Sequence, residues 1–480
     1  MKKYLFAFLL LTGWATTGWA QTTEGFRIEG RIRGIQDKPC VLAHFYGATQ
    51  YIPKDTARAD AEGRMVFEGK KSLPGGLYLV VLPSGKYVEM IIGDQNFSFE
   101  TDTTNLIGAM RVKGSRENEL FFTYQQYLSQ IFDEVQTLNE QKKAWADNTV
   151  IAKFDAQIDA RQKEMQAFRD SFLLANKETF TARLLKATAE PKVPTAPKAK
   201  NGRPDSVWVF NYYKSHFWDD FYFSDERFVR TPILQKKLDR YMKELTVQST
   251  DSLIKAADFV VTKAKANKDI LAYTIWYITN QYEQPKVMGT DGLFVYMAEK
   301  YYLGGVMPIA DPSTLDKVRE RVSTMKPLLV GKVLPTPAVS DALRRPINLM
   351  NIKADYTVVF FYSPTCGHCK EATPKLKKFA DANKAKGVEV FAIAIDESPE
   401  AWKKFVREYK IGSWINGFDY NTRVDYRRQF DVFSTPTVYI LDKEKKIIAR
   451  RLPVEQVEDF LSFYKKQQAE KMAAAKASRQ

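Results

Sequence analysis

Cysteine is nearly absent from this sequence: three residues in 480, Cys40, Cys366 and Cys369. That excludes a disulfide-stapled scaffold, which needs several paired cysteines in place of a core. Long apolar runs are also missing. The run from Tyr4 to Leu11 is too short to span a bilayer, and nothing later reaches the necessary length. Acids are in deficit, 57 against 72 Lys and Arg, for a formal charge of +15. The bases are interleaved with acids through helical stretches and no nucleic-acid-binding motif accompanies them, so no nucleic acid is expected as partner. A solvated basic surface follows, with an electrostatic preference for acidic partners or anionic envelope surfaces as the alternative reading.

The composition is otherwise that of folded protein, 45% hydrophobic and 27% charged, which rules out a disordered chain. At this length two to four domains are expected, each with its own core. Residues 1–20, with Lys2 and Lys3, the apolar run and the small residues ending Gly18-Trp19-Ala20, read as a secretory signal peptide cleaved after Ala20. The expected location is therefore the periplasm or cell envelope, an oxidising compartment. No cysteine follows the cleavage point, which argues against a lipid anchor.

The fold class expected is multidomain: an N-terminal antiparallel β domain, a central all-α region and a C-terminal α/β domain. Over 24–113, FRIEGRIRG, CVLAHFYG, RMVFEG, GLYLVVLPSG, YVEMIIGD and NFSFETD each read as one strand between turns. Cys40 and His44 fall in these strands and read as packed residues. From 114 to 188 apolar residues recur every three or four positions, giving two long helices folded back as a hairpin. The proline-bearing stretch 189–206 is a linker, and 207–326 a second helical domain. There His216, Asp219, Asp220, Asp225 and Glu226 raise a metal site, but Asp225 is equally an ordinary helix cap and no metal is assigned. Asp291 also reads as a helix start. The last domain runs over 327–465, with strands at 357–362 and 388–396, helices at 366–384, 399–409 and 425–431, and then two adjacent strands, TVYILD and KIIARRL. A final helix follows from Val454, and 466–480 reads as a fraying helix or disordered tail.

The chemistry concentrates in Ser363-Pro364-Thr365-Cys366-Gly367-His368-Cys369-Lys370, between the strand Thr357–Tyr362 and a helix. A Cys-x-x-Cys at a strand-to-helix turn puts the first sulfur at a helix N-terminus. Free backbone N–H groups and the helix dipole favour thiolate there. The second sulfur lies one turn on. This is the pattern of a redox site, and no cofactor is needed for it.

With Pro374 five residues after the second cysteine and Thr435-Pro436-Thr437 before a strand, the last domain resembles the thioredoxin fold, and within it the TlpA/ResA-type thiol-disulfide oxidoreductases. Residues 24–113 and 130–325 resemble uncharacterised domains that precede thioredoxin domains in Bacteroidetes envelope proteins. The resemblance implies thiol–disulfide exchange on envelope proteins bearing disulfides or thiols, with Cys366 attacking and Cys369 resolving. It implies a cis proline at Pro436, client hydrogen bonds at Thr435, and an inner-membrane electron donor. Gly367 would let the backbone approach closely, and His368 would tune the pair toward the more oxidising side by stabilising the Cys366 thiolate. Two departures stand out: Phe360 occupies the place of thioredoxin's buried acid, and Ala372 that of the family's glutamate. Glu371 is left as the candidate proton shuttle for Cys369.

Two other classes compete. Peroxiredoxins share the fold, and Ser363 fits their motif, but Val359 stands where it requires proline. A binding or scaffold protein with a vestigial thioredoxin domain is the third reading; both cysteines and the Thr-Pro loop are intact against it.

Overall fold

The computed structural model describes residues 25–308, 310–395 and 398–477. The expected signal peptide lies outside them. Among the described residues no helix is long and apolar enough to cross a membrane. The chain divides into two compact units, up to Leu234 and from Gln235 onward.

The first unit begins with eight strands: β1 (Phe26–Arg33), β2 (Pro39–Tyr46), β3 (Gln50–Arg58), β4 (Arg64–Gly69), β5 (Gly76–Val81), β6 (Tyr87–Ile92), β7 (Asn96–Asp102) and β8 (Arg111–Lys113). They form two four-stranded sheets, β4-β1-β7-β8 and β3-β2-β5-β6. Neighbours are antiparallel except β1 and β7, which run parallel. Burial alternates along β1 and β7, the period-2 signature of a one-sided strand. The sequence reading passed over β3 and β8. β3 is exposed along nearly its whole length, so it shows no alternation to read, and β8 has only three residues.

Helices α1 (Arg116–Lys143) and α2 (Asn148–Ala175) pack on each other, and α3 (Phe180–Ala187) and α4 (Ser206–His216) follow. Asn118, fully buried in the first turn of α1, ties it to β6: its Oδ1 accepts the Ile91 amide at 2.8 Å and its Nδ2 donates to the Ile91 carbonyl at 2.7 Å. Glu117 accepts the amides of Phe180 and Thr181, both at 2.8 Å, at the start of α3. Buried Asp225 caps a short 3-10 turn, Glu226–Arg230, and holds Arg227 through both oxygens at 2.8 and 2.7 Å. That turn packs on β5 and β2. Asp220 pairs with Lys186, and His216 stacks on Tyr212 with its Nδ1 at the Tyr212 carbonyl. Asp220 and Asp225 are thus engaged with separate cations, and no metal-binding cluster forms among the described residues.

The division between units falls inside α5 (Pro232–Lys243), within the helical domain expected over 207–326. Its first part packs on strands of the first unit and the remainder belongs with the C-terminal domain. That remainder comprises α6 (Thr250–Ala264), α7 (Lys268–Glu283), α8 (Gly292–Met297), a π-helical turn at Ala298–Leu303 and α9 (Pro312–Met325). Asp291 does precede α8, but its side chain makes no cap bond. It pairs instead with Arg450 at 2.9 Å, a buried guanidinium offering a stronger partner than a backbone amide.

The C-terminal domain contains β9 (Tyr356–Tyr362), α10 (Gly367–Asn383), β10 (Val388–Ala394), α11 (Pro399–Glu408), β11 (Ile415–Phe418), α12 (Tyr426–Phe430), β12 (Thr437–Leu441), β13 (Ile447–Arg450) and α13 (Val457–Ala477). The sheet order is β11-β10-β9-β12-β13. β11, β10 and β9 run parallel, and β12 and β13 antiparallel. β9 serves both faces: Val358, Phe360 and Tyr362 enter one core with Leu376 and Trp402, and Val359 and Phe361 enter the other with Phe391 and Tyr439. Every residue of β9 after Tyr356 is buried, as a central strand covered on both sides requires. β11 escaped the sequence reading because four residues containing Asn416 and Gly417 carry little strand signal. α13 continues through position 466 to Ala477.

Candidate active site

β9 ends at Tyr362 and the chain turns through Ser363, whose carbonyl accepts the Cys366 amide at 3.2 Å. Cys366 occupies the N-cap position of α10 in extended conformation, with no side-chain cap bond. The free amides of the first helical turn therefore face its sulfur. Cys366 is half-buried and Cys369 has no exposed surface; both are free thiols. Pro374 sits inside α10 without ending it.

The two thiols have opposite electrostatics. Burial works to raise Cys366, but hydrogen bonds from the Thr435 and Cys369 side chains and from the Cys369 and His368 amides outweigh it, holding the thiol below its ordinary value. Cys369 is pushed up to about 12, chiefly by burial, against a weaker pull from the Ser363 amide. The first sulfur is thus disposed to ionise, and the second to keep its proton.

Thr435-Pro436 is a cis peptide bond, and the Thr435 carbonyl lies 3.3 Å from Cys366 Sγ. The loop holding it follows α12 and leads into β12, whose Thr437 pairs with Phe361 of β9. Neighbouring strands thus set the second cysteine-facing loop beside the first.

The structure brings together Cys366, Cys369, the His368 backbone and Thr435-Pro436. The His368 ring is exposed, and what it contributes to the sulfur is its amide. Gly367 is not demanded by packing, since a Cβ there would meet no atom within 4 Å. Glu371 is not brought to Cys369: it is exposed, two residues further along a helix, and i,i+2 side chains do not face each other. The place of thioredoxin's acid is filled by Phe360, fully buried and stacked on Tyr362 at 5.3 Å. Cys40 and His44 are buried in the first unit. Burial pushes the Cys40 thiol up, and His44 Nδ1 is satisfied by the Phe45 carbonyl at 2.7 Å.

Two features near the site escaped the sequence reading. Phe433, two residues before Thr435, is 61% exposed, and a large aromatic beside the Thr-Pro pair was the available signal. Asp431 gave no such signal; it is a buried acid that closes a short polar helix.

The arrangement is that of a thioredoxin-fold dithiol site, and comparison with known proteins agrees. The family model described as thioredoxin-like matches residues 354–447. Two others, each described only as a domain of unknown function, match 26–121 and 141–327. The chain is similar to the thiol-disulfide oxidoreductase ResA of Bacillus cereus, 27% identical over 135 residues, which cover 28% of this chain and 76% of that protein. It is similar to a solved domain of a possible thiol-disulfide isomerase from Cytophaga hutchinsonii, 40% identical over 30% of this chain and 98% of that one, with a TM-score of 0.29. A thioredoxin-like protein from Bacteroides caccae aligns at 19% identity with 57% of this chain and 99% of its own, TM-score 0.46. Residues 354–447 thus form a thioredoxin-like domain similar to the ResA thiol-disulfide oxidoreductases.

Proposed function

We propose that the protein exchanges dithiol for disulfide on protein clients in the periplasm or cell envelope, as a reductase or isomerase, through Cys366-Gly367-His368-Cys369. The observation that carries this reading is the unequal pair: a half-buried thiol held below its ordinary value at a helix start, and a buried one held near 12. In the reducing direction the Cys366 thiolate attacks one sulfur of a client disulfide. That S–S bond breaks, the second client sulfur leaves as thiolate and takes a proton from water, and a mixed disulfide remains. Cys369 then gives up its proton and attacks Cys366 Sγ, expelling the first client sulfur. Two electrons have passed to the client and the Cys366–Cys369 disulfide is left. Isomerisation uses the first step and its reversal at a different client sulfur.

Thr435, beside Pro436, offers its backbone to the client chain, and the open space at Gly367 leaves room for that chain against the sulfur. His368 favours the thiolate through its amide. Sustained reduction requires an electron donor at the inner membrane. The location rests on the reading of residues 1–20. Insulin reduction by the mature protein tests the proposal. Turnover is expected to vanish in Cys366→Ala, and Cys369→Ala to accumulate a mixed disulfide. The reduction potential, measured by glutathione equilibration with Cys40 replaced, separates a reductase from an isomerase. A value near thioredoxin's indicates the former, and one about 90 mV higher the latter. Absence of a reversible two-electron couple would refute dithiol chemistry.

A further inference from the structure

The loop that carries Thr435 and Pro436 begins at Asp431, which closes α12 in the left-handed conformation at φ 55°. Its carboxylate has no exposed surface and meets three guanidinium groups: Arg321 Nη1 at 2.6 Å, Arg451 Nη2 at 2.5 Å and Arg450 Nη2 at 3.3 Å. Arg450 and Arg451 lie at the end of β13 and bind the loop to its own domain. Arg321 is different. It projects from α9 in the helical region, and its Nε is held by Glu283, the last residue of α7, at 2.7 Å. The same guanidinium lies over the ring of Phe433, 5.6 Å from its centroid, while that ring stays 61% exposed. One side chain from outside the thioredoxin-like domain thus grips the loop at its buried origin and backs the aromatic surface beside Thr435.

We infer that Arg321 is a positioning residue for thiol–disulfide exchange, holding the segment 431–436, whose residues from Phe433 onward face the client, in register with Cys366, so that the helical region is a working part of the site. The inference rests on the dithiol-exchange reading above. A loop fixed before the client arrives does not have to be ordered on binding, and that saving appears in client affinity. Thr435 meets the Cys366 sulfur through its carbonyl at 3.3 Å, so a shift at Asp431, four residues away, is transmitted to that contact. Arg450 and Arg451 neutralise Asp431 without Arg321, so what Arg321 adds is the tie to α9 and the support of Phe433.

The test uses the full mature chain carrying Arg321→Met, which keeps most of the side-chain length and removes the charge, and Arg321→Lys, which restores the charge without the fork. kcat and KM are measured for insulin and for oxidised glutathione, and hydrogen exchange is followed in peptides covering 431–437. In Arg321→Met, KM for insulin is expected to rise about three- to tenfold with a smaller change in kcat, lowering the preference for insulin over glutathione. Exchange across 431–437 is expected to quicken, and Arg321→Lys to restore part of both effects. Wild-type insulin kinetics in folded Arg321→Met, or equal losses on both substrates, would overturn the inference. Unchanged loop exchange in Arg321→Lys overturns it if the Met variant does not fold. A wild-type protein inactive on both substrates overturns the dithiol reading itself, a distinguishable result.

Discussion

Alkylation of the reduced protein at neutral pH measures the asymmetry of the two thiols directly. Cys369 is pushed up to about 12, and Cys366 lies below the ordinary 9.0. At pH 7 the thiolate fraction of Cys369 is therefore on the order of 10⁻⁵ and that of Cys366 more than about 10⁻². Limiting iodoacetamide followed by peptide mass spectrometry should label Cys366 at least about fiftyfold faster, since only the thiolate reacts and the weaker nucleophilicity of the less basic thiolate offsets part of its excess. Its pH profile should have a midpoint below 9.0. The same asymmetry reaches stability. The unfolded chain releases the Cys369 proton near 9 and the folded protein near 12, so between those values the unfolded state binds fewer protons and is favoured. The contribution is fully present below pH 9 and lost as pH rises to about 12, roughly 4 kcal/mol in all for the reduced form. Cys369→Ser should abolish this part of the alkaline loss. Comparable labelling of both cysteines, or a Cys366 midpoint at 9.0 or above, would refute the reasoning.

Other outcomes follow from single contacts. Asn118→Leu leaves the Ile91 amide and carbonyl buried without their partner. It should cost about 2–4 kcal/mol, read as faster hydrogen exchange in β6 and α1. Trp402→Ala empties a site with 1% exposure, where the indole stacks on Phe418 at 5.1 Å. A loss of about 3–5 kcal/mol is expected in urea denaturation, with exchange in β10 reporting the region. Cys40→Ala removes a buried thiol at a cost of about 1 kcal/mol, and the redox titration should remain a single two-electron couple. A change in that couple would place Cys40 in the redox chemistry.

The site was legible wherever chemistry and local structure coincide in sequence. Cys-x-x-Cys after an all-apolar strand and before a helical period fixes the first sulfur at a helix start, because the turn from one to the other leaves it no other place. The strand and helix order of the last domain was likewise written in its periodicity. β11, β3 and β8 were not: a four-residue edge, a strand exposed on both faces and a three-residue strand carry too little pattern. Glu371 looked plausible by proximity along the chain, and the helical turn rotates it away from Cys369.

By itself the sequence determined the dithiol, its strand-and-helix setting and the Thr-Pro loop, because these depend on residue type and on neighbours along the chain. Only the tertiary structure decided how the two thiols are driven apart, since that turns on the burial of Cys369 and on a hydrogen bond to Cys366 from the Thr435 side chain, about seventy residues away. It also decided that the helices before the last domain divide between two units, and that Arg321 reaches Asp431 across 110 positions. Ion pairs of that kind leave no period in a sequence, because each charge satisfies its local helix equally well facing water.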